Sequence, residues 1–154
     1  MLFAAERANG EDLAVLVHVL GAMVLVGGLV TAAAMSVIGW RDEGSDLRRR
    51  STKTLLIVAL PAWFVMRIAA QWAYSEAGWD QVADDQEPAW IGIGFITAEG
   101  GGLLLLIALI LGWIGIRRER KGGGNTLLRI SGVLAAVLVL VYVIAVWAMG
   151  GKPQ

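Results

Sequence analysis

One apolar run decides the fold: residues 89–116, which read AWIGIGFITAEGGGLLLLIALILGWIGI. A helix needs about 20 apolar residues to cross a bilayer, and this run exceeds that length. Its single carboxylate, Glu99, costs roughly 2.5–3.5 kcal/mol at membrane depth unless it is paired or faces a cavity. The next three residues are Gly100, Gly101 and Gly102, and each costs about 1 kcal/mol relative to alanine inside a helix. We therefore interpret this stretch as the middle of a membrane-spanning helix and as the centre of a candidate functional site.

The composition of the whole chain is that of an integral membrane protein. Of its 154 residues, 57% are hydrophobic and 17% are charged, whereas a soluble domain carries about 45–50% apolar and about 25% charged residues. The apolar residues form four blocks, which predict helices over residues 13–40, 54–73, 89–116 and 126–149 in a single transmembrane domain, 1–154. The chain has no cysteine, which excludes disulfides, thiol chemistry and cysteine-based metal sites. Nucleic-acid binding is not expected, because the basic residues lie in two short loops beside the membrane.

The charges between the apolar blocks predict the orientation. Basic residues concentrate in loops 41–53 and 117–125, whereas segment 74–88 contains acidic residues and no lysine or arginine. The positive-inside rule places both basic loops in the cytoplasm, and segment 74–88 and both termini outside. Four spans with short connections then predict an all-α, up-down four-helix bundle in the cell membrane. Within the second span, Pro61 lacks an N–H and is expected to kink or locally open the helix.

Each predicted helix contributes one polar side chain to the outer half of the membrane. Counted from the outer end of its own helix, His18 lies about 9 Å deep, Arg67 and Tyr142 each about 10 Å deep, and Glu99 about 15 Å deep. At 100° per residue, each of the four can face the bundle interior, and Gln71 shares the face of Arg67. These similar depths predict one shared polar pocket that opens outward.

Arg67 and Glu99 are expected to pair, because arginine keeps its charge and Glu99 is the one acid within the predicted spans. The pair is either a structural contact that fixes helix register or a proton or ion relay that uses Glu99. In a further alternative, Arg67 extends toward headgroups or the acidic segment. The glycine triplet either lets a neighbouring helix approach closely or marks an unwound, ligand-binding segment.

His18 is the single histidine of the chain. It is either a hydrogen-bond partner for another helix or an axial ligand for haem or copper. A bis-histidine haem site would need a second copy of the chain to supply the other ligand. Ser131 lies at a different depth, so a Ser–His nucleophile is not expected. On the same first helix, Gly28, Ala32 and Ser36 form a small-xxx-small ridge suited to close helix contact.

The first predicted helix also resembles a known group of proteins. Residues 17–28, VHVLGAMVLVGG, are similar to the first helix of small bacterial four-helix integral membrane proteins related to copper-resistance D-type and uncharacterised membrane protein families. In that group an apolar-His-x-x-Gly pattern commonly continues to Gly-Gly. The resemblance covers this one helix, and it implies a four-helix unit in which His18 binds metal or haem.

The sequence therefore favours a small, non-enzymatic integral membrane protein. Its predicted role is that of a structural, accessory or small-ligand-binding subunit, and its partners are the lipid bilayer and either further copies of the chain or a larger membrane complex. The predicted pocket residues are His18, Arg67, Gln71, Glu99, Gly100, Gly101, Gly102 and Tyr142. Two alternatives stay open: a haem- or metal-binding redox protein that uses His18, and a proton or ion transporter that uses Glu99 and Arg67.

Overall fold

The computed structural model describes residues 10–41, 45–83 and 88–150, and the regular structure in these ranges is entirely helical. Its elements are α1 (Gly10–Arg41), α2 (Ser45–Thr54), a π-helical turn (Leu55–Ala59), α3 (Leu60–Glu76), a 3₁₀ turn (Trp79–Gln81), α4 (Ala89–Arg120) and α5 (Thr126–Gly150). The predicted positions of the chain termini, and parts of loops 41–53 and 74–88, lie outside the described residues.

Within the described ranges, four helical stretches are long and apolar enough to cross a membrane, which confirms the prediction of a helical fold with four candidate spans there. They are Asp12–Trp40, Asp46–Glu76, Ala89–Arg120 and Thr126–Trp147. The second stretch combines α2, the π-helical turn and α3 without interruption. The first, third and fourth agree closely with the predicted helices.

The prediction of a loop over residues 41–53 is wrong for most of that segment, because helix α2 begins at Ser45. This polar helix is amphipathic: Arg48, Ser51 and Thr52 are buried, whereas Lys53 is exposed. Positions three and four residues apart share one face of a helix, so the buried side chains form one stripe against the rest of the protein. The low hydropathy of this segment predicts a loop, because it gives no sign of a buried face. Its inward face is polar rather than apolar.

Pro61 lies next to a local opening of the second span, as predicted. The Leu60 N–H donates to the carbonyl of Leu55, five residues earlier, at the end of the π-helical turn. A π turn widens the helix by one residue, and such turns often relieve a conflict in the i→i−4 pattern. Because Pro61 has no N–H and its ring crowds the preceding turn, this widening is the expected response.

The helices surround one apolar core. Helix α1 packs against α3 and α5, and α4 packs closely against α5 and more loosely against α3. Within the described ranges α1 and α4 do not pack against each other, so they lie on opposite sides of the core. Its largest fully buried apolar side chains are Leu25, Leu29, Leu55, Leu105 and Leu138.

Small residues set the distances between the helices. A Cβ atom on Gly21 would lie 2.9 Å from the backbone nitrogen of Met66, and one on Gly28 would lie 3.0 Å from a methyl group of Val58. A Cβ on Gly132 would collide with the Ser36 hydroxyl. The ridge predicted on the first helix therefore contacts its neighbours: Gly28 meets the π-helical turn, and Ser36 meets α5.

Gly21→Ala should destabilise the bundle, because its methyl group would meet the backbone of α3, which cannot move aside as a side chain can. We expect a loss of about 1–3 kcal/mol, the usual cost of overpacking. Gly27→Ala is the matched control on the same helix, since a Cβ there meets nothing within 4 Å. Thermal unfolding in detergent, followed by circular dichroism, compares the two. Equal melting temperatures would contradict the proposed contact between α1 and α3.

Candidate functional site

Arg67 on α3 and Glu99 on α4 form an ion pair. Arg67 Nη2 lies 2.8 Å from Glu99 Oε1, and Arg67 Nε donates to the same oxygen at 3.1 Å. Arg67 Nη1 donates to Gln71 Oε1 at 3.3 Å, and the guanidinium carbon lies 5.0 Å from the centre of the Phe95 ring. Arg67 is therefore held by a carboxylate, an amide and an aromatic face at once.

The pair lies on the outside of the bundle, in contrast to the predicted inward orientation of Glu99. The Glu99 side chain is 64% exposed and the Arg67 side chain 23% exposed. On α4, the neighbouring positions Ala98, Gly101 and Gly102 are buried instead. The sequence analysis predicted that Glu99 faces the bundle interior. Instead, the small residues of α4 face the interior, because they allow the closest approach of the other helices.

Glu99 is also deep along its helix. It lies about 15 Å from the first residue of α4 and about 21 Å from Trp113, at a rise of 1.5 Å per residue. Tryptophan is enriched at membrane interfaces, and the hydrocarbon core is about 30 Å thick. If α4 spans the bilayer, the carboxylate is therefore carried well inside the hydrocarbon region.

The glycine triplet makes room for two aromatic side chains. A Cβ on Gly101 would overlap the hydroxyl of Tyr142, and a Cβ on Gly102 would overlap the indole of Trp63, whereas nothing lies within 4 Å of one on Gly100. Helix α4 is continuous from Ala89 to Arg120. The triplet therefore serves close packing, and the alternative of an unwound segment is not observed.

Trp63 and Tyr142 differ in how their polar atoms are satisfied. The Trp63 indole N–H donates to the carbonyl of Ala98 at 2.9 Å. The Tyr142 side chain is buried, and its hydroxyl forms no hydrogen bond of normal geometry with the described residues. The Trp63 indole also interacts with this hydroxyl, but its N–H is already directed at Ala98.

His18 links α1 to α3. Its Nδ1 lies 3.0 Å from the carbonyl oxygen of Met66. A carbonyl oxygen only accepts, so in this contact Nδ1 carries a proton and donates to the Met66 carbonyl. Among the described residues, no group of three or more His, Asp or Glu side chains could hold a metal ion. The contact has the form expected of a hydrogen-bond partner, and haem or copper binding through His18 stays a prediction.

The predicted pocket residues fall into three local arrangements. The structure brings Arg67 and Gln71 together with Glu99, seats Tyr142 against Gly101, and bonds His18 to the backbone of α3. His18 and Glu99 are on α1 and α4, which do not pack against each other in the described ranges. A single pocket shared by all of these residues stays a prediction.

A second charged cluster, which the sequence analysis did not identify, joins three helices at the opposite end of the bundle. The Arg48 side chain is 3% exposed, and it donates to the Gly39 carbonyl and, at 3.4 Å, to Glu119 Oε1. Arg49 Nε donates to Glu119 Oε2 at 2.9 Å. A signal was present: Glu119 is the one acid in the basic run RRERK at 117–121. The net positive charge of this run predicts an orientation, but the run by itself does not indicate what its acid binds.

No protein-family model, curated protein or solved structure matches this chain. The class that the structure defines is broad: the regular structure of the described residues is helical, and it includes four stretches long and apolar enough to span a membrane. The predicted relation to copper-resistance D-type membrane proteins stays a prediction.

Tyr142→Phe should leave stability unchanged or raise it slightly, because it removes a buried hydroxyl that makes no regular hydrogen bond. Trp63→Phe is the comparison, since it removes a donor with a defined acceptor, and we expect it to cost about 1 kcal/mol or more. Thermal unfolding of both variants in detergent measures the difference. A larger loss of stability for Tyr142→Phe than for Trp63→Phe would mean that the Tyr142 hydroxyl makes a stabilising hydrogen bond after all.

Glu119→Gln should destabilise the basic end of the bundle strongly. Removing one partner of a buried ion pair costs about 3–5 kcal/mol, because the other charge is left buried without compensation. Asp80→Asn, at an exposed acid in the 3₁₀ turn, is the control and should have little effect. Comparable melting temperatures for the two variants would show that the buried charge of Arg48 does not need the carboxylate of Glu119 for stability.

Proposed function

We propose that this protein is a non-enzymatic, multi-pass membrane subunit that associates with a second copy of itself inside the bilayer. The face that associates carries Arg67 and Glu99. In this proposal the chain forms an up-down bundle, with the basic segments 41–53 and 117–125 in the cytoplasm. Segment 74–88 and both termini are outside.

Contacts between neighbouring spans support the up-down arrangement. His18, in the first half of α1, contacts Met66, in the second half of the second span. The carbonyl of Ala32, in the second half of α1, accepts from Ser51, near the start of that span. Helices α4 and α5 follow the same rule, because Gly101 faces Tyr142 and Ser131 donates to the Ala108 carbonyl. Consecutive spans that run in opposite directions bring both basic loops to one side, as the positive-inside rule requires.

The exposure of Glu99 is the observation that carries the proposal. A charged side chain that faces lipid within the hydrocarbon region is costly, and such residues normally face protein or a water-filled cavity. In a single copy, 64% of the Glu99 side chain is exposed. Both hydrogen bonds from Arg67 go to Oε1. Covering this face with protein removes the carboxylate from lipid and can give Oε2 a donor.

A second copy is a chemically suitable cover. A two-fold axis brings the same patch of both subunits together, so a patch that carries one cation and one anion is complementary to itself. Around Glu99 the surface of α4 is also shaped for a helix: a Cβ on Gly92 or Gly100 would meet nothing within 4 Å. Exposed glycines let a neighbouring backbone approach closely, which is how helices associate in lipid.

Charge exchange between two labelled copies tests the proposal. Arg67→Glu puts two carboxylates on the face of one copy, and Glu99→Arg puts two guanidinium groups on the face of the other. Each variant alone should associate on the order of 100-fold more weakly than the unaltered chain, because like charges meet across the interface. The mixture should recover association, since unlike charges then meet. Energy transfer between fluorophore-labelled copies in liposomes measures all three cases.

Thermal unfolding of each variant shows whether it folds. The double variant Arg67→Gln with Glu99→Gln controls for loss of charge without repulsion, and it should associate more weakly than the unaltered chain. A mixture that associates no better than either variant alone would contradict assembly through this face. So would full association of both single variants.

A further inference from the structure

A groove of about 510 Å³ lies between α2 and α4 at the basic end of the bundle. Cationic side chains form most of its polar lining, and the one acid among the lining residues is Asp46. The lining residues are Asp46, Arg49, Arg50, Thr52, Lys53, Leu56, Trp113, Ile116, Arg117 and Arg120. We call this the basic groove.

Charge and apolarity are separated along the basic groove. Among the residues that the second span contributes to the groove, Lys53 is the last cation, and Leu56 follows one turn further into the apolar part of the helix. On α4 the order is reversed: Trp113 and Ile116 precede Arg117, so the apolar residues of both helices lie at the same end. The groove is thus cationic toward the end of the bundle and apolar toward its middle, as the headgroup and chains of a lipid require.

The cations of the basic groove remain available to an anion. Arg49 is paired with Glu119. Arg50, Lys53 and Arg120 are exposed, and the described residues provide no ion pair for them. The Arg117 guanidinium lies 5.2 Å from the centre of the Trp113 ring, which holds it at the boundary between the two halves of the groove. Arginine binds phosphate through paired N–H groups, and an aromatic face below it fixes the plane of the fork.

A second groove, of about 280 Å³, lies on the other side of the same helix and shares Arg50 and Lys53 with the first. Its remaining lining is largely apolar: Met35, Thr54, Ile57 and Val58. Two largely apolar surfaces therefore extend from Arg50 and Lys53. This is the shape of a phospholipid, in which two acyl chains leave one phosphate-bearing headgroup.

We propose that the basic groove binds an anionic phospholipid. Its phosphate would lie among Arg50, Lys53, Arg117 and Arg120, one acyl chain along Leu56 and Trp113, and the other along the second groove. Basic pockets between membrane helices bind such headgroups elsewhere. The proposed lipid contacts do not include Arg67 or Glu99, which lie between the same two spans at a different depth.

Lipid binding to the purified full-length chain in detergent tests the proposal. Phosphatidylglycerol should bind more tightly than phosphatidylcholine with the same acyl chains, as measured by native mass spectrometry. The variant Lys53→Gln/Arg117→Gln/Arg120→Gln should weaken phosphatidylglycerol binding on the order of 100-fold, at about a factor of five for each basic residue. The matched control Arg118→Gln/Lys121→Gln/Arg129→Gln removes as much charge from exposed positions outside the groove. It should bind nearly as the unaltered chain does.

Inorganic phosphate distinguishes a lipid site from a simple anion site. Phosphate in millimolar excess should not displace the lipid, because it gains nothing from the apolar half of the groove. Displacement by phosphate, equal binding of the two lipids, or equal losses in the two triple variants would each overturn the proposal.

A second measurement does not depend on the folding of the triple variant. Phosphatidylglycerol with brominated acyl chains should quench the tryptophan fluorescence of the unaltered chain more than that of Trp113→Phe, because bromine quenches at short range. The brominated phosphatidylcholine should show no such difference. Equal quenching of both proteins by phosphatidylglycerol would place the lipid away from the basic groove.

Discussion

The structure depends on close approach between helix backbones at small residues. In lipid, apolar side chains gain little by leaving the acyl chains, so helices associate through packing and through hydrogen bonds across their contacts. Gly21 against Met66 and Gly115 against Leu128 are contacts of this kind, each too tight for a methyl group to enter without movement. Many of the large apolar side chains, in contrast, do not lie between helices and remain exposed on the outside of the bundle.

This close approach explains the behaviour of most polar side chains in the spans. His18 contacts the Met66 carbonyl, and Ser51, Trp63 and Ser131 each donate to a backbone carbonyl of a neighbouring helix. These groups bond to backbone carbonyls rather than to one another, so they tie neighbouring helices together. The ion pair of Arg67 and Glu99 is different, because it lies on the surface and is satisfied in part by Gln71. Its position is therefore the main reason to infer a second protein surface in the membrane.

The sequence predicted the number and approximate limits of the spans, because hydropathy and helix length are properties of each segment alone. It also predicted the opening at Pro61 and the contact between Arg67 and Glu99, since each follows from local chemistry or from the scarcity of charge. It did not predict that Glu99 faces outward or that α2 is helical with Arg48 buried. Those features depend on which face of each helix its neighbours cover, and that choice is made by packing between segments far apart in the chain. The cationic run predicted an orientation but not the groove, for the same reason.

Cross-linking in the membrane tests the central claim most directly, and the absence of cysteine makes single labels possible. Ile96 is 75% exposed and lies one turn from Glu99, whereas Ile144 is 62% exposed on α5, away from the proposed interface. If two copies meet through the Arg67–Glu99 face, Ile96→Cys should form a disulfide-linked dimer on oxidation in native membranes, and Ile144→Cys should remain monomeric. Equal cross-linking at both positions, or cross-linking at Ile144→Cys alone, would contradict the account.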